Sequence, residues 1–89
     1  SGNAEPKFVI ENIKVISSSI VGNNHIKSTL LGKDGTVFKS FAWNAKSSAL
    51  ESYLKNDNKN HITIAGKMML NDWKGKKEIE FSIEDISTI

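Results

Sequence analysis

A chain of 89 residues with 38% hydrophobic and 25% charged content has room for one domain and one core, able to hide roughly 60–65% of the surface its unfolded form would expose. No apolar run approaches the ~20 residues needed to cross a bilayer, and without cysteine there is neither a disulfide framework nor a thiolate zinc site, so a soluble, cytoplasmic domain with no membrane contact is expected. The net charge of +2 is too small to name a polyanionic partner by itself, and any such case rests on where the lysines stand.

Residues 1–6 are expected to be a cleavage remnant and linker of a domain cut from a longer chain. Pro6 closes the linker, because its ring disfavours helix in the residue before it, and the folded domain is expected over 7–89. From Lys7 to Ser18 the residues Phe8, Val9, Ile10, Ile13, Val15 and Ile16 are β-branched or aromatic, which predicts a long first strand. Both its faces are partly apolar, as expected of a strand that curls and serves two sheets. Ser17 to Asn24, with turn formers at each end, reads as a connecting loop.

His25 to Leu31 alternates Ile26, Ser28 and Leu30 against His25, Lys27, Thr29 and Leu31, a second strand, and Gly32-Lys33-Asp34-Gly35 predicts a hairpin turn. The third strand, Thr36 to Trp43, leaves its buried face open. Val37, Lys39, Phe41 and Trp43 form one set and Thr36, Phe38, Ser40 and Ala42 the other. After Asn44 the period changes: Ala49, Leu50, Tyr53 and Leu54 recur at helical spacing, with Ser48 and Glu51 as a capping box. Asn56 to Asn60 is a polar loop.

The last third reads as two strands. Ile62, Ile64, Gly66, Met68 and Leu70 share one face of the first, and Ile79, Phe81 and Ile83 alternate with Glu78, Glu80, Ser82 and Glu84 in the second. Ile64, Ile79, Phe81 and Ile83 are predicted core. Asn71 to Lys77 reads as the connecting turn and carries Trp73 with Lys74, Lys76 and Lys77, the densest positive charge in the chain. Three strands, one short helix and two strands, with a long first strand, is the order of an all-β five-stranded Greek-key barrel with one short helix, the OB-fold. Small SH3-like barrels share part of this order, but a lone helix between strands three and four favours the OB reading.

Three segments then carry a family resemblance: Ser19 to Leu30 (SIVGNNHIKSTL), Ile64 to Gly75 (IAGKMMLNDWKG) and Ile83-Glu84-Asp85-Ile86. A glycine, a histidine and a basic residue open strand two, and a Gly-Lys strand, an Asn-x-Trp-x-Gly turn and an Asp-Ile ending follow. The chain resembles the C-terminal OB domain of RecJ-type single-stranded-DNA-specific exonucleases over nearly its whole length. Ser28 and Ser40 depart from the resemblance where apolar residues are expected, Trp43 where phenylalanine is usual, and Met68-Met69 is unusual. The resemblance implies a parent enzyme that degrades single-stranded DNA from the 5′ end with a divalent metal, Mg or Mn, held in nuclease core domains that are not in this chain. His25 and His61 stand on different elements and the carboxylates are scattered. The fragment itself is therefore expected to be catalytically inert, with no cofactor of its own.

OB-folds bind along strands two and three, with the loops after strand one and between strands four and five closing over the ligand. The candidate DNA-binding residues are His25, Lys27, Lys39, Trp43, Lys67, Trp73, Lys74, Lys76 and Lys77. Lysine and aromatic residues suit a single strand because phosphates attract cations and unpaired bases stack on flat side chains. Each has a structural counterpart reading. Trp73 covers the open end of the barrel or stacks on bases. Trp43 and Phe41 read first as core, since the domain has few large apolar groups to spare. His25 reads first as a side chain tied to the loop backbone. Lys74, Lys76 and Lys77 solvate the tip, pair with Glu78 and Glu80, or meet phosphate. The expected partner is single-stranded DNA, alongside the nuclease core of the parent chain. The competing expectation is a structural OB domain that packs on that core or on a repair partner, with RNA binding third.

Overall fold

The computed structural model describes residues 7–55 and 60–88, and the side chains of Asn71 and Trp73 lie outside the description. The strands are β1 (Phe8–Val21), β2 (His25–Leu31), β3 (Val37–Ala42), β4 (Ile62–Trp73) and β5 (Lys76–Thr88), with the helix α1 (Ala49–Leu54) between β3 and β4. They close into a barrel in the order β1-β2-β3-β5-β4, with β3 and β5 parallel and every other pair antiparallel.

The predicted curl of β1 is present and has a local cause. Its first half pairs with β4, from Phe8 opposite Gly66 to Ile13 opposite Ile62, and its second half pairs with β2, from Lys14 to Val21. Between Ile10 and Ile13 the ladder gains a residue on the β1 side, and Asn12 sits in the left-handed region at φ 58°. Asparagine tolerates that conformation better than a branched residue would, and the bulge bends the strand from one neighbour to the other.

Ser17 to Val21, expected as loop, are strand; only residues 22–24 form the turn. The serines are polar because this stretch is largely solvent-facing, so composition mimicked a loop. The two face sets of β3 separate without mixing. Ser40 and Ala42 are buried and Phe38 half-buried, whereas Val37, Lys39, Phe41 and Trp43 face outward. α1 begins where predicted: Ser48 Oγ accepts the Leu50 N–H at 3.1 Å, and the Glu51 carboxylate reaches back to the Ser47 N–H at 3.1 Å, one residue earlier than a strict capping box. The Ser18 hydroxyl donates to the Leu54 carbonyl and seats the helix against β1.

Ile13, Val15, Ile26, Leu30, Ala42, Ala45, Leu54, Ile62, Ile64, Phe81, Ile83 and Ile86 form the core. Each large side chain among them contributes about 1.5–3 kcal/mol by leaving water. Ser28 and Ser40, two of the departures from the family pattern, both point inward and are buried. Ser40 Oγ donates to the Ser28 carbonyl at 3.3 Å, while Ser28 Oγ has no partner among the described residues.

Ile79 corrects the predicted core: it is 65% exposed. The reason lies in strand length. β3 reaches β5 only at Glu80 to Ser82, and β1 reaches β4 only up to Gly66. The remaining hairpin, from Lys67 through Lys76 to Ile79, projects beyond the barrel, and its inner face carries Met68, Leu70 and Ile79 without a cover among the described residues. Alternation identified the right face but could not show that the barrel ends before it.

Candidate nucleic-acid interface

The outer face of β2 and β3 is fixed by their antiparallel register, in which Ile26 stands opposite Ala42, Lys27 opposite Phe41 and Thr29 opposite Lys39. His25, Lys27 and Thr29 therefore line up beside Trp43, Phe41 and Lys39. Three rings meet at one end of this face. The Phe41 and Trp43 centroids are 4.6 Å apart and inclined at 61°, His25 lies edge-on to Trp43 at 4.8 Å, and His25 and Phe41 are 5.6 Å apart. Such tilted and edge-to-face contacts are favoured by the ring quadrupoles. Trp43, a candidate DNA contact that read first as core, is 55% exposed, and Phe41 is only half-buried, so the core reading of Trp43 does not hold. Trp43 follows the outward parity of β3, and the inward positions are taken by Phe38, Ser40 and Ala42, so the size of the ring did not bring it inside.

His25 is held as its structural reading anticipates. Its Nδ1 accepts the Asn44 N–H at 2.9 Å, which leaves the neutral ring's hydrogen on Nε2. Asn44 turns the chain after β3 with φ 54°, and Gly22 takes the left-handed conformation at φ 64° that favours glycine, in a turn where a Cβ would make only ordinary contact with His25 Cδ2 at 3.5 Å. The adjoining Lys46 N–H donates to the Asn24 carbonyl at 2.9 Å, tying the β1–β2 turn to the chain after β3. The histidine that opens strand two thus braces Trp43.

β5 adds what the sequence reading did not anticipate. Its parallel pairing with β3 sets Glu80 beside Lys39 and Ser82 beside Phe41, and β4 follows with Met69 opposite Glu80 and Lys67 opposite Ser82. Lys67 therefore joins the outer face, where it lines a shallow groove with Trp43, Met69 and Glu84. A carboxylate joins it too: Glu80 Oε2 lies 3.9 Å from Lys27 Nζ. The alternation of Glu78, Glu80 and Glu84 was the available signal, once β5 is placed next to β3. Glu84 also pairs with Lys7 at 3.1 Å.

The connection between β4 and β5 is shorter than expected. Asp72 pairs with Lys77 and Trp73 with Lys76, leaving Lys74 and Gly75 as a two-residue turn at φ 50° and 79°. Positive φ at both positions marks a hairpin turn that matches strand twist and requires a residue such as Gly75. The tip lysines are consequently split. Lys76 shares the outer face with Glu78 and Glu80, and Lys77 lies on the opposite face with Ile79. All three of Lys74, Lys76 and Lys77 are exposed. The Trp73 side chain, on which the reading of the turn depended, lies outside the described residues.

Gly66 explains the Gly-Lys pair in β4. The β4–β5 ladder shifts between Ala65 and Gly66, and a Cβ at Gly66 would stand 1.9 Å from the Ser82 carbonyl oxygen. Only glycine admits this approach, and it places Lys67 at the edge of the groove.

A closed barrel in this strand order, with its helix between β3 and β4 and its aromatic and cationic residues on β2 and β3, defines an OB-fold domain. Residues 1–85 match the RecJ OB domain family, and the chain belongs to it. Among solved structures it is similar to the mitochondrial single-stranded DNA binding protein Rim1 of S. cerevisiae, with a TM-score of 0.70 at 11% identity over 97% of this chain and 96% of that one. It is likewise similar to the SSB domain of a Synechococcus protein, with a TM-score of 0.60 at 10% identity over 97% and 98%. No curated protein sequence matches the chain significantly.

Proposed function

We propose that this domain binds single-stranded DNA on the outer face of β2, β3 and β5, as the OB module of a RecJ-like 5′-to-3′ exonuclease. It guides substrate toward a nuclease core that this chain does not contain. The observation that carries the reading is the ring cluster of His25, Phe41 and Trp43 set beside Lys27, Lys39 and Lys67. Unpaired bases stack on exposed rings for about 1–3 kcal/mol each, and the lysines beside the rings offer cations to the phosphates of such a strand. Family membership and the likeness to proteins described as single-stranded DNA binding support the same reading. Under it the domain has no cofactor, the parent's Mg or Mn belongs to the nuclease core, and the protein acts in the cytoplasm.

Titration of a fluorescent oligothymidylate tests it. Binding should be sequence-tolerant and should favour single over double strands. With about three lysines on phosphate, log affinity should fall against log salt with a slope near −2, at ~0.7 per contact. Equal affinity for duplex, or no dependence on salt, would remove the reading.

A second reading, packing on the nuclease core or a repair partner, is favoured by one specific observation. The projecting hairpin opens an apolar groove lined by Ile10, Phe38, Met68, Ile79 and Phe81 at the β2–β3 turn end of the barrel. Exposed apolar surface of this kind marks interaction sites. If the groove is the functional surface, Ile79→Glu should weaken docking in the parent protein, and Trp43→Ala should leave DNA affinity unchanged.

A further inference from the structure

The lysines of the proposed interface are not presented to solvent alone. Glu80 stands among them: in register with Lys39 on β3, 3.9 Å from Lys27 Nζ on β2, and opposite Met69 on β4, one outward position from Lys67. Its side chain is only 12% exposed, whereas that of Lys27 is 45% exposed. Lys27 and Lys39 are diagonal neighbours across β2 and β3, close enough to repel, so a carboxylate between them lowers that repulsion in the free protein. A phosphate approaching either lysine meets the carboxylate as a competitor.

We infer that Glu80 is an internal counter-anion that sets the affinity of this face for polyanions, so that a phosphate binds by displacing Glu80 from Lys27 beside Lys39. This rests on the DNA-binding reading and deepens it. The face is tuned toward modest affinity, with selectivity left to ring stacking, because part of the cationic attraction is already spent inside the protein. Such a device suits a module that passes a strand along.

The test compares oligothymidylate binding across a salt series for the wild type, Glu80→Gln and Glu11→Gln. The last makes the same change in net charge on β1, away from the β2–β3–β5 face. Glu80→Gln should bind about five- to tenfold more tightly at low salt, with a log–log slope steeper by about 0.7–1.4, one or two further phosphate contacts. Glu11→Gln should stay within about twofold of wild type. In a Lys27→Ala background the gain from Glu80→Gln should shrink. Glu80→Ser, which removes the same charge, serves if the glutamine variant does not fold. Wild-type binding with Glu80→Gln no tighter than Glu11→Gln would overturn the inference and leave the DNA reading standing. Weaker binding by Glu80→Gln would overturn it too, and would make the carboxylate a positioning residue for the lysines. No binding by any of the proteins would overturn both.

Discussion

The β2–β3 face and the tip of the β4–β5 hairpin offer the same chemistry in sequence, a tryptophan with lysines, and differ in how that chemistry is held. At the face, Trp43 is braced by two rings, His25 is fixed by the Asn44 N–H, and the flanking lysines stand on strands paired on both sides. At the tip, two strands pair only with each other among the described residues, around a two-residue turn. A stacking surface gains most when its rings are already ordered, because little entropy remains to be lost on binding. Composition weighs the two regions alike, and rigidity favours the face.

The sharpest way to break this comparison is to disturb the strand that serves both regions. Gly66→Ala forces a methyl group against the Ser82 carbonyl, and we expect a loss of about 3 kcal/mol in urea unfolding, near the upper end for overpacking. Stability close to wild type would mean that the ladder shift can relax.

Next in size, Trp43→Ala should cost about 1–3 kcal/mol of oligonucleotide binding and about 1 kcal/mol of stability, since the ring is half exposed but rests on His25 and Phe41. Trp73→Ala should cost less in the same titration, and a reversed order would return the site to the tip. Ser28→Ala lies inside the barrel directly beneath the face. Removing a buried hydroxyl that lacks a partner should stabilise the domain by about 1 kcal/mol without altering DNA affinity, as read by thermal melts and the same titration.

The smallest effect concerns the β2–β3 turn. Asp34 accepts the Thr36 N–H at 3.0 Å, and this bond holds its carboxyl below the ordinary value of 3.8. Because the folded value is depressed, the stabilisation is present above 3.8 and is lost as pH falls through the folded value. Asp34→Asn should flatten that part of the acid melting profile slightly, measured by circular dichroism. The group is fully exposed, so the change should be small.

Much of the barrel was legible because one-sided burial imprints a period of two. Ile26, Ser28 and Leu30 in β2 and Phe81 and Ile83 in β5 all point where alternation puts them, and Ser48 marks the helix start. What was not legible depends on which strands become neighbours. The exposure of Ile79 follows from where β3 and β1 stop pairing, and the intrusion of Glu80 among the lysines follows from a contact about 40 residues distant in sequence. The core reading of Trp43, which stood beside its place among the candidate DNA contacts, failed for a different reason. Ring size argued for the core, but Trp43, just past the end of β3, continues the outward parity of that strand, which its sequence had left open. The loop expected over Ser17 to Asn24 failed because exposed strand and loop share the same polar composition.

The central claim is that the β2–β3 face, rather than the hairpin tip or the apolar groove, receives the single strand. The most direct measurement is to follow backbone amide and indole resonances while an oligothymidylate is titrated into the labelled domain. The account predicts the largest shifts at His25, Lys27, Lys39, Phe41 and the Trp43 indole. Shifts confined to Lys74, Gly75 and Lys76, or to Ile10, Phe38 and Ile79, would contradict it.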